Sequence, residues 1–157
     1  MNHPTKLFIA ASLALGAVAA VLADDDDDGR RYTASHPAWQ AECGGCHVAY
    51  PPQLLPARSW RALMSGLDNH FGTDASLDPQ VAADIGGFLE RNAGRDRTPA
   101  AAPVLRITET PWFVREHDEV LARVWQSAKV ASRSNCTACH VKADQGSYGE
   151  DSLFIPK

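Results

Sequence analysis

The chain has 157 residues, 45% hydrophobic and 22% charged, which suits one ordinary domain or two small ones and excludes a largely disordered protein. A formal net charge of -4 offers no basic face to nucleic acid, and no glycine-rich phosphate loop or Gly-x-Gly-x-x-Gly is present to hold a nucleotide. Four cysteines and six histidines are left to carry the chemistry.

Residues 1–23 read as a secretory signal peptide. Lys6 supplies the positive n-region, an uncharged run extends from Leu7 to Leu22, and Val21 and Ala23 are small residues at the −3 and −1 positions of a cleavage site. The apolar run is about 16 residues, short of the ~20 that span a bilayer, which argues against an uncleaved anchor. Removal of Lys6 leaves 14 basic against 19 acidic side chains, a net of -5. The predicted mature protein is soluble and exported, and opens with an acidic disordered tail (residues 24–35) in which Asp24–Asp28 repel one another in solvent.

Residues 36–93 form the first predicted unit. It begins with Cys43-Gly44-Gly45-Cys46-His47, the pattern that attaches c-type haem. Two thiols three positions apart at a helix start reach the two vinyl groups on one porphyrin edge. The following histidine then projects beneath the ring as the proximal iron ligand. A proline-rich loop (Tyr50–Pro56) follows, and then a predicted helix over 58–71 capped by Ser59. At about 100° per residue, Trp60, Leu63, Leu67 and His70 share one stripe, with Met64 on the opposite edge. His70 is the favoured distal ligand of the first haem and Met64 the alternative. His36 is left over, solvated or near a propionate. A third helix starts at Asp78-Pro79, buries Val81, Ile85, Phe88 and Leu89, and stops at Asn92–Gly94.

Residues 94–109, with Gly94, Pro99, three alanines and Pro103, read as a linker to a second unit over 110–157. Thr110-Pro111 opens a predicted helix to about residue 130. Phe113, His117, Val120, Leu121 and Val124 lie on its apolar face, and Glu119 pairs with Arg123 one turn on. An imidazole in mid-stripe needs a partner, and His117 finds one as distal ligand of a second haem, attached at Cys136-Thr137-Ala138-Cys139-His140.

Other uses of the cysteines explain less. Two disulfides leave the histidine after each pair unexplained, a four-thiolate zinc site needs knuckles closer than the separation of about 90 residues, and a thioredoxin-like pair needs a βαβ setting. Each unit is marginal for an unaided core, so haem must complete both and the apo chain is expected to be poorly ordered. The proximal histidines are expected to donate their second ring N–H to backbone carbonyls, with the Pro51–Leu55 loop as the source for His47.

These residues resemble the dihaem cytochrome c proteins of the bacterial periplasm. The likeness runs through Cys43-Gly-Gly-Cys-His-Val-Ala-Tyr-Pro-Pro52, Leu55-Pro-Ala-Arg-Ser-Trp60, Asp68-Asn-His-Phe-Gly72, Trp112-Phe-Val-Arg-Glu-His117 and Asn135-Cys-Thr-Ala-Cys-His140. The resemblance implies an all-α fold with a cytochrome c-like N-terminal domain and a small helical C-terminal domain. It implies two covalent haems, each with two histidine ligands: His47 with His70, and His140 with His117. It implies electron transfer between redox partner proteins, among them an oxygen-binding monohaem cytochrome c and a membrane cytochrome b. The rival is a small haem enzyme, peroxidase or oxygen-activating, with one open iron; a haem-dependent sensor is a further alternative.

Overall fold

The computed structural model describes residues 31–97 and 102–157, so the expected leader and the Asp24–Asp28 run lie outside the described residues. The all-α expectation holds: the described residues form short α- and 3₁₀-helices with isolated bridges and no strand.

Helix α1 spans Pro37–Cys43. Pro37 presets the first turn, and His36 Nδ1 accepts the Trp39 N–H at 3.3 Å. His36 is therefore a helix cap, contrary to the expectation of a solvated or propionate-bound residue. The first attachment motif sits at a helix end, not a start: Cys43 closes α1, and Cys46 and His47 follow in a turn. The Gly44 N–H bonds back to the Gln40 carbonyl at 3.0 Å, and a Cβ at Gly44 would collide with that same oxygen.

The proline-rich segment runs through the core. It forms a 3₁₀ turn at Pro52–Leu54, with Pro52, Leu54 and Leu55 buried and the Trp60 indole donating to the Pro52 carbonyl at 2.6 Å. Helix α2 spans Ala57–Met64 and is shorter than the expected 58–71. Its cap position is Pro56, and Ser59 lies buried inside it. Ser65, whose hydroxyl bonds the Ala62 carbonyl, and Gly66 end the helix. A 3₁₀ turn at Leu67–Asn69 delivers His70.

Helix α3 spans Pro79–Arg91, and its Asp78 carboxylate caps the Gln80 and Val81 N–H groups as anticipated. Its Ile85, Phe88 and Leu89 meet Trp39, Leu55 and Trp60 in one core.

In the second half, Thr110 caps α4 (Pro111–Glu116), accepting the Phe113 N–H at 3.3 Å and donating to the Ile107 carbonyl at 2.7 Å. The expected continuous helix to residue 130 does not form. The His117 ring contacts the Phe113 carbonyl through Nδ1 at 2.9 Å, taking the acceptor that the next helical turn would use. Asp118 and Glu119 also set like charge against the negative helix end. Helix α5 (Ala122–Trp125) starts afresh, so Leu121 is exposed and Glu119 and Arg123 lose their i,i+4 register. The end of the expected disordered tail is ordered against the second half, the Tyr32 N–H bonding the Gly146 carbonyl at 2.8 Å, and the two halves touch directly where the Tyr50 hydroxyl donates to the Ser134 carbonyl at 2.6 Å.

Candidate haem centres

The first centre is an apolar cleft enclosing about 920 Å³, its open mouth included, within the range of cofactor sites. Cys43 enters from α1, His47 from the turn beyond it, and Trp60, Leu63 and Met64 from α2. His70 closes the far side. Reciprocal backbone bonds to Thr73 (2.8 and 3.2 Å) hold it in a tight turn, with Phe71 (φ 54) and Gly72 (φ 97) in left-handed conformation. The His47 and His70 ring centroids are 6.3 Å apart. Two imidazoles on opposite sides of one first-row metal, each nitrogen ~2 Å from it, have centroids about 6 Å apart, so the gap fits one iron. Met64 also lines the cleft but packs onto the core cluster.

The first centre draws on the second half of the chain as well. Arg106 lies 4.0 Å over the Phe71 ring, and Leu105–Thr108 and Cys136 line the cleft. His47 takes the Val48 carbonyl through Nδ1 at 2.8 Å, not a carbonyl of the Pro51–Leu55 loop, because the turn after α1 folds its ring onto its own neighbour.

The second centre gathers His117, His140, Phe113, Trp125 and Tyr148. The two histidine centroids are 6.1 Å apart, the same iron-sized gap. Phe113 stacks on His117 at 4.0 Å, and Tyr148 lies 5.3 Å from His140. A 3₁₀ turn at Cys136–Ala138 precedes Cys139 and His140.

Haem fits both centres by their unmet chemistry. Nδ1 of His70 is buried with no hydrogen-bond partner in the protein, while His140 has the Tyr148 backbone beside it. Burial, His47 and Arg106 hold His70 below the ordinary histidine value, and burial and His117 do the same for His140, which favours the neutral form that ligates iron. All four cysteines are free of disulfides, and burial pushes the Cys43 and Cys136 thiols up to about 11. Among the described residues no group of three or more His, Cys, Asp or Glu side chains is placed to hold a metal ion.

The family model for dihaem cytochrome c matches residues 39–148. The chain belongs to the dihaem cytochrome c family. The diheme cytochrome c from Rhodobacter sphaeroides is similar at 45% identity and a TM-score of 0.68, with 74% of this chain and 99% of that one covered. A second structure from that organism, DHC as purified, matches at 48% identity and 0.65, covering 73% and 97%. The diheme cytochrome type c from Shewanella baltica matches at 46% and 0.66, covering 76% and 91%. A search of curated proteins gave no match. Two covalently bound c-type haems thus belong to this dihaem cytochrome c, and electron transfer is its function.

Reading the sequence missed the ring-holding residues. Tyr50 stacks on His47 at 4.5 Å, and Phe113 lies one turn before His117; the four-residue spacing on a helix face was the available signal for Phe113. Arg106 gave no signal, because its role depends on the chain folding back across the first centre.

Proposed function

We propose that this dihaem cytochrome c is a periplasmic electron carrier whose two irons are each closed by two histidines, and that it has no substrate site. Cys43 and Cys46 hold the first haem, with His47 and His70 on its iron. Cys136 and Cys139 hold the second, with His140 and His117. The paired imidazole gaps of 6.3 and 6.1 Å carry this reading. Bound haem supplies one-electron chemistry as its iron alternates between ferric and ferrous states.

The chain's own residues orient, bury and insulate. The Val48 and Phe113 carbonyls fix the His47 and His117 rings through Nδ1, leaving the opposite ring nitrogen for iron. Trp39, Leu55, Trp60 and Leu89 keep water from the first haem. Without methionine ligation both potentials lie low. Cys136 lines the first cleft beside Tyr50, which supports close haems and rapid exchange between them.

The leader sequence supports export, and among the described residues no helix is long and apolar enough to cross a membrane. Redox partner proteins would meet the exposed haem edges. Ionised propionates and the acidic chain favour a basic patch on the partner, and an oxygen-binding monohaem cytochrome c and a membrane cytochrome b are the proposed candidates.

Near-infrared magnetic circular dichroism of the oxidised, matured protein tests the ligands. Two low-spin bis-histidine signatures are expected. A high-spin component would open one iron to substrate and favour an enzyme, and a histidine–methionine band would put Met64 in place of His70.

A further inference from the structure

The two histidine pairs share a separation but not an orientation. The His47 and His70 ring planes meet at 30°, and those of His117 and His140 at 77°. Each angle is held by groups outside the pair. At the first centre Tyr50 stacks on His47 with planes 15° apart, and its own ring is anchored through the hydroxyl bond to the Ser134 carbonyl. The reciprocal bonds to Thr73 fix the His70 backbone, and Phe71 lies 4.8 Å from its ring. At the second centre Phe113 stacks on His117 at 19°, and the Nδ1 contact with the Phe113 carbonyl fixes the ring's rotation. Trp125 at 5.9 Å and, on His140, Tyr148 at 5.3 Å complete that cage.

Ring orientation matters to a low-spin iron. The filled π orbital of each imidazole stands perpendicular to its plane and raises whichever iron d orbital it overlaps. Parallel rings raise the same orbital and split the pair that holds the unpaired electron. Crossed rings raise both members equally and leave them nearly degenerate. A large splitting also stabilises the ferric state, because the electron hole occupies the raised orbital.

We propose that the two haems are electronically inequivalent because the protein sets near-parallel axial rings at the first and near-perpendicular rings at the second, with Tyr50 and Phe113 as the positioning residues. The proposal rests on the bis-histidine reading above. Its functional consequence is that ring orientation favours the oxidised state at the first haem and the electron at the second.

Electron paramagnetic resonance of the frozen, fully oxidised holoprotein tests this beside the near-infrared dichroism. The expected spectrum holds two low-spin signals in equal amount, one rhombic with three resolved g values and one dominated by a single large g value. Phe113→Leu keeps the backbone carbonyl but removes the stacked ring, and is expected to move the large-g signal while leaving the rhombic one in place. Tyr50→Leu is expected to do the reverse, and Tyr50→Phe, which keeps the stacked ring but loses its hydroxyl bond to Ser134, to move the rhombic signal less than Tyr50→Leu does. Bis-histidine dichroism with two signals of the same type would overturn the inference while sparing the ligand assignment. Dichroism of any other type would overturn the ligand assignment itself. A large-g signal unmoved by Phe113→Leu in a folded, haem-loaded protein would remove Phe113 from its role.

Discussion

His36 accepts the Trp39 N–H through Nδ1 and meets Asp84 on α3 through Nε2 at 3.2 Å, so one side chain caps α1 and ties it to the core helix. The cap matters because α1 has only seven residues and ends on a haem-attachment cysteine. Replacing a capping side chain by alanine costs about 1 kcal/mol, and His36→Ala is expected to lose stability of that order in urea denaturation. His36→Asn, which restores an acceptor at the cap, should recover most of it. Recovery by asparagine assigns the effect to the cap; no recovery would shift it to the partly exposed Asp84 contact or the 4.9 Å ring contact with Phe88.

Among the helices, α3 is the one whose sequence signals and structure coincide. Asp78-Pro79 opens it, an apolar stripe lines one face, and Ile85 is fully buried in the core cluster that holds Trp39 and Trp60. Ile85→Ala is expected to cost about 2–5 kcal/mol, the range for an isoleucine truncated in a packed core. The denaturation midpoint should fall while the covalent haems and their low-spin spectrum persist in native buffer. Loss of the low-spin spectrum under native conditions would show that α3 also holds His70 in place. Helices α2 and α4 behave differently: each stops short of its expected end, α2 after Met64 at Ser65-Gly66 and α4 at Glu116, where His117 leaves the helical path.

Across the whole molecule, one histidine in each centre responds to pH in the same direction. His70 and His140 both lie below the ordinary histidine value of 6.5, through burial first and the neighbouring histidine next. As pH falls through 6.5 the unfolded chain takes up protons that the folded chain refuses, so stability is present above that value and is lost as pH drops toward the folded-state values. Iron ligation requires neutral rings and acts with the same sign. Urea midpoints at about pH 7.5 and 5.5 should therefore differ, with the lower pH less stable; equal midpoints would mean that neither ring is buried as described. The contacts from Tyr32 to Gly146 and from Tyr50 to Ser134 join the halves, so a single unfolding transition is expected at both pH values.

The sequence by itself determined the chemistry. Two Cys-x-x-Cys-His motifs, the Asp78 and Thr110 caps and the α3 stripe are local patterns, and local patterns need no tertiary knowledge to be read. Tertiary structure decided where helices stop and which rings meet. The His117 ring takes a carbonyl from its own helix, Ser65-Gly66 releases the chain so that His70 can face His47, and the left-over His36 becomes a cap. It also brought Arg106 to Phe71 and Tyr50 to Ser134, contacts between residues 35 and 84 positions apart that no periodicity encodes. The reason is physical: a motif depends on spacing along the backbone, whereas a ring's angle and a helix's end depend on competition for carbonyls and space that exists only once the chain is packed.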